Sequence, residues 1–168
     1  MYKAMKVLAI IALLVTIAGA GLVLYGINTL TPVIEQIHVA VTPAVQAQEI
    51  FDGVLSQVRD GTFAGRIYGD TAGLQAQGCT FVTYSVRLHN KGFFPAEWIS
   101  LIIQPVQGAE AHDLLQLDNS GGNVLAARSQ GDIAATVLTA GDAAVTQRNF
   151  EIACYVLGRQ VRIAGVTP

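Results

Sequence analysis

The chain has 168 residues, ten basic and twelve acidic groups, a formal net charge of −2 and 52 % hydrophobic residues. No dense basic patch of the kind nucleic-acid binding requires is present, so no nucleic-acid partner is expected. The length allows one small domain beside any membrane segment, not two.

Val7 to Ile27 carries no charge and one polar break, Thr16. As a helix it is about 31 Å long, enough to cross a hydrocarbon core of roughly 30 Å. Lys3 and Lys6 precede it, and no other basic residue follows until Arg59. This asymmetry predicts a cytoplasmic tail over residues 1–6 and an extracytoplasmic C-terminal part in a single-pass cell-membrane protein. Tyr2 and Tyr25 sit near the two ends, where aromatic rings favour the interface of the lipid bilayer. A cleaved signal peptide is the rival reading, with Ala18-Gly19-Ala20 as the small-residue site. The segment stays apolar past that point, which favours a retained anchor. Ala12, Thr16 and Ala20 place small residues on one face, a candidate anchor-helix contact.

The high hydrophobic fraction reflects this anchor. With Lys3 and Lys6 set apart, eight of the ten basic residues and all twelve acidic ones remain beyond the membrane, a net of −4.

Residues 28–60 are predicted as a helical stalk. Thr31-Pro32 and Thr42-Pro43 resemble helix starts. Ile34, Ile37, Val41, Ala44, Gln48, Phe51, Leu55 and Val58 repeat at three-and-four spacing. That stripe suits a self-associating coiled coil or packing onto the following domain.

Residues 61–168 have a different texture. Glycines 61, 65, 69, 73 and 78 argue for turns around one short strand over Thr62 to Tyr68. In Thr80 to His89, Val82, Tyr84, Val86 and Leu88 alternate with Thr83, Ser85, Arg87 and His89, a half-buried strand. Asn90-Lys91-Gly92 then turns into a second strand, Phe94 to Gln104, in which Trp98 is expected to be core. Further candidates are Asp113 to Asp118, Asn123 to Ala127, Asp132 to Thr139, Gln147 to Leu157 and Arg159 to Ala164. The predicted fold is therefore mainly β: an N-terminal transmembrane helix and helical stalk, then a seven- or eight-stranded antiparallel β-sandwich ectodomain.

Cys79 opens the first strong strand and Cys154 lies in a late one. Outside the cytoplasm a Cys79–Cys154 disulfide is chemically permitted; the alternative is two buried free thiols. The order Cys79, Trp98, Cys154 resembles immunoglobulin domains at the level of architecture, with Ile152 where that family's tyrosine corner would stand. The resemblance, which extends to fibronectin type III modules, implies a domain that binds, spaces or assembles.

Signs of catalysis are thin, and no enzyme activity is expected. His38, His89 and His112 lie far apart and show no metal-ligand spacing; His112-Asp113 reads as a solvated pair at a strand start. There is no G-x-S-x-G elbow, phosphate loop or Cys-x-x-Cys. Asp118 to Asn123 offers oxygen ligands but lacks the regular spacing of a calcium loop. No cofactor or metal is expected. Phe93 and Phe94, after the turn, form a candidate partner surface; the alternative is that one or both rings close the end of the sandwich core.

Three functions follow. The first is a membrane-anchored binding, adhesion or assembly module with a protein partner or a homo-oligomer. The second is a pilin-like subunit of a surface appendage, although no Gly precedes the apolar run and, with Met5 as the first mature residue, Ala9 would stand where pilins carry an acid. The third is an enzyme with a site assembled from scattered residues.

Overall fold

The computed structural model describes residues 2–28, 30–107, 111–118, 124–141 and 147–167. Helix α1 (Tyr2–Asn28) leads by a short link into β1 (Val33–Pro43), and a single 3-10 turn (Ala44–Ala47) joins β1 to helix α2 (Gln48–Arg59). The strands that follow are β2 (Arg66–Ile67), β3 (Cys79–His89), β4 (Glu97–Ile103), β5 (Ala111–Asp118), β6 (Gln130–Gly141), β7 (Asn149–Val156) and β8 (Arg159–Val166). All pairings are antiparallel, and they form two sheets, β1-β3-β6-β5-β2 and β4-β7-β8.

The predicted β-sandwich is present. Val82, Tyr84, Val86 and Leu88 face inward from β3, meeting Ile99, Leu101 and Ile103 of β4 and Phe150, Ile152 and Cys154 of β7. This is the alternation expected of strands buried on one face. Gln116 of β5 links the two sheets: its amide donates to the Leu101 carbonyl at 2.8 Å and accepts from the Ile103 N–H at 3.0 Å.

The predicted stalk is half strand. Val33–Pro43 is not helical but pairs along β3, from Val33 opposite His89 to Pro43 opposite Thr80. A bulge between Ile34 and Gln36 inserts one extra residue. Ile34, Ile37, Val39 and Val41 then fall opposite the inward residues Leu88, Val86, Tyr84 and Val82. The bulge thus turns a period of two into a first step of three, which imitates helical spacing. The sandwich begins at Val33 rather than at residue 61. The helical expectation holds only for α2, whose Phe51 and Val54 pack on the outer face of the larger sheet against Phe81, Leu114 and Leu138. The result is three layers: helix, five strands, three strands.

The Cys79–Cys154 disulfide does not form; both thiols are free and buried. Cys79 belongs to the layer beneath α2, Cys154 to the layer between the sheets. The five-stranded sheet lies between them. Burial raises both thiol pKa values.

Asn123 to Ala127 is not a strand over its described part; it makes one isolated bridge, Leu125 to Ala96. Asn119 to Asn123, the larger part of the candidate oxygen-ligand loop, lies outside the described residues.

Candidate interaction surface at the anchor end

The titratable residues considered from sequence do not converge. His38 is exposed on β1. The His89 ring lies 2.8 Å from the Glu35 carboxylate, which also accepts from the Gln130 amide at 2.8 Å. His112 stands opposite Ala140 on β5. Among the described residues, no group of three or more His, Cys, Asp or Glu is placed to hold a metal ion.

Asp113, expected to be solvated, is fully buried, and sequence reasoning missed its partner. Arg148, only 1 % exposed, donates to both Asp113 oxygens, Nη2 to Oδ1 at 2.7 Å and Nε to Oδ2 at 2.9 Å. Thr139 Oγ1 and the Val106 N–H donate to the same carboxylate. Arg148 Nη1 also donates to the Tyr84 hydroxyl at 2.9 Å. Burial alone would raise the Asp113 pKa; the hydrogen bonds from Arg148, Thr139 and Val106 outweigh it and hold the carboxyl below its ordinary value. No buried side-chain nitrogen or oxygen among the described residues lacks a partner. A fully satisfied buried pair positions strands and leaves no lone pair aimed at a substrate. The one sequence signal was Asp113 sitting in line with apolar Leu114 and Leu115.

A shallow cleft of about 440 Å³ runs between α2 and Leu74 to Gln77, with Asp52 and Arg59 on its wall. Asp52 is tied to Gln48 within the same helix.

A second exposed apolar surface lies at the end of the sandwich where α1 enters. Asn90 organises that end: its side-chain amide donates to the carbonyls of Phe94, Leu125 and Ala126, and its oxygen accepts from the Gly92 N–H. The Arg128 N–H donates to the Gly92 carbonyl. With these loops pinned, Phe93 and Phe94 stay exposed and do not close the end of the core. The Phe93 ring stands 5.9 Å from the Tyr25 ring of α1, with the Arg128 guanidinium 4.4 Å from its centre on a cation–π contact.

Trp98 is not core. A register break between Glu97 and Ser100 leaves Ile99 inward and Trp98 68 % exposed. The hairpin from β7 to β8 turns at the same end, with Leu157 66 % exposed. Trp98, Arg128 and Leu157 are the non-glycine residues with positive φ among the described residues, at 52°, 55° and 52°. Each such residue costs about 1–2 kcal/mol relative to an ordinary conformation. Leu157 and Arg128 take this conformation in turns and Trp98 at the register break of β4.

The candidate anchor-helix contact, Ala12, Thr16 and Ala20, lies on an exposed stretch of α1. The Thr16 hydroxyl donates to the Ala12 carbonyl at 2.8 Å, so it is satisfied within its own helix.

No family model and no curated protein matches this chain. Among solved structures it is similar to a crystal structure of the yeast GGA1 GAE domain, with 14 % identity over 56 % of this chain and 94 % of that one, at a TM-score of 0.36.

Proposed function

We propose that the protein is a single-pass, membrane-anchored binding or assembly module that holds its β-sandwich on the extracytoplasmic side, with its N-terminus in the cytoplasm. The observation that carries this reading is Met5–Tyr25: 21 residues of mean hydropathy 2.8, of which none is buried against the rest of the protein. A soluble core helix would be covered by its own domain; this one leaves Leu, Ile and Val open on every side. The segment stays apolar past Ala18-Gly19-Ala20 as far as Ile27, which suits a retained anchor. The edge of β1 supports a binding role. It is an 11-residue strand paired, among the described residues, on one side alone, with Val33, Val39 and Val41 exposed. Such an edge invites pairing with a further strand, from a protein partner or a second copy.

Alkaline extraction of membranes and intact-mass analysis of the extracted protein test the anchor. Retention in the lipid fraction at full length is expected; a soluble chain beginning after Ala20 would sink it. Protease added to intact cells should remove the sandwich and spare the tail. Cross-linking in those cells tests the binding role, and a protein recovered only as an uncoupled monomer would count against it.

A further inference from the structure

We propose that the anchor end of the sandwich is itself a lipid-docking surface, resting on the interface of the leaflet from which α1 emerges. Phe93, Trp98 and Leu157 enter the headgroup region there, and Lys91, Arg128 and Arg159 meet its phosphates. The inference rests on the membrane reading of α1.

Reach places these residues. Asn28 ends α1 and Val33 starts β1, so the chain between them spans at most about 17 Å. Val33 pairs with His89, and His89 with Gln130, so the loops 90–96 and 125–129 leave the sheet in the row nearest the anchor. Glu97 pairs with Tyr155, which brings the turn at Leu157 to the same end. The Tyr25–Phe93 contact joins an interfacial position of the anchor to the middle of this surface.

Chemistry then selects the occupant. An aromatic and aliphatic rim interleaved with Lys and Arg matches the interface, where rings sit at headgroup level and cations meet anionic lipid. The acids of this end are largely occupied: Glu35 by His89 and Gln130, and Asp132 by Arg87 at 2.9 Å. Among the described residues, Glu97 is an exposed exception. The residues in positive φ hold their side chains away from the core, and among them are the largest apolar group, Trp98, and one of the cations, Arg128. A protein partner would meet the same surface only by displacing the bilayer that α1 holds beside it.

Trp98 is the sole tryptophan, so its emission reports this end alone. The full-length protein is placed in vesicles of phosphatidylcholine with or without phosphatidylglycerol, with bromine on the acyl chain near the headgroup. Emission should shift to the blue and fall at least twofold with brominated lipid, with aqueous iodide quenching little. Phe93→Ser with Leu157→Ser should at least halve the lipid quenching. Lys91→Ser, Arg128→Ser and Arg159→Ser together should abolish the gain from phosphatidylglycerol. Protein that floats with the vesicles while Trp98 stays open to iodide and blind to bromine overturns the proposal and leaves the anchor intact. Trp98 shielded from both quenchers overturns it too, showing a second copy on this face. Protein that fails to float overturns the anchor reading itself.

Discussion

The two ends of the sandwich solve opposite problems. At the end far from the anchor, a charged pair is buried and every polar atom of Asp113 and Arg148 that faces it is matched. At the anchor end, large apolar groups stand exposed on backbone held in costly conformations. The first arrangement puts polar chemistry where water is excluded and makes it specify how strands meet. The second leaves apolar chemistry at the surface.

Replacing one partner of the buried pair should have the largest effect. Asp113→Ala leaves the Arg148 guanidinium uncompensated and should cost about 3–5 kcal/mol in chemical denaturation of the full chain in detergent micelles. Phe93→Ser at the other end should stay within about 0.5 kcal/mol of wild type in the same assay. Similar costs for the two would break the contrast.

Acid should act on the same end. The folded Asp113 pKa lies below the unfolded value near 3.9, so its stabilisation is complete above that value and disappears as pH falls through the folded one. Denaturation midpoints measured from pH 6 downward should therefore fall most steeply below about pH 4. In Asp113→Asn that group's part of the slope should be missing. An unchanged slope would mean that Asp113 is protonated in the folded state.

At the anchor end, removing strain should stabilise. Leu157 and Gly158 form a two-residue hairpin with both φ positive, at 52° and 73°, a pattern that favours Asn-Gly. Leu157→Asn should raise stability by about 1 kcal/mol while weakening vesicle contact. A destabilised variant would show that Leu157 packs into the fold instead of projecting from it. The smallest effect should be none: reductant should leave the melting temperature unchanged, and alkylation after unfolding should label Cys79 and Cys154 alike. A melting temperature lowered by reductant would reveal a bridge.

Much of the sandwich was legible. The alternation from Val82 to Leu88 and the glycine-rich turns gave strands close to those observed, because one face of each is buried. Bulges were not legible, and both large errors trace to them. One makes β1 imitate a helix at Ile34 and Ile37; the other turns Trp98 out of a strand whose neighbours all suggested core. The cysteines misled because order along the chain does not show on which side of a sheet a thiol lies. At the candidate surface, the exposure of Phe93 and Phe94 follows from their place after a turn. Trp98, Arg128 and Leu157 were not legible, since they come from three separate loops that only the strand pairing brings to one end.

The link between Asn28 and Val33 has a further effect. On the proposed membrane reading of α1, a domain held so closely to it can turn but cannot travel out, so its encounters are confined to a thin layer above the lipid. Partners held in the same membrane share that layer, and a contact too weak to pair two free proteins in solution becomes sufficient there. In a dilute assay, the open edge of β1 would then score as feeble while serving as an effective contact between neighbours.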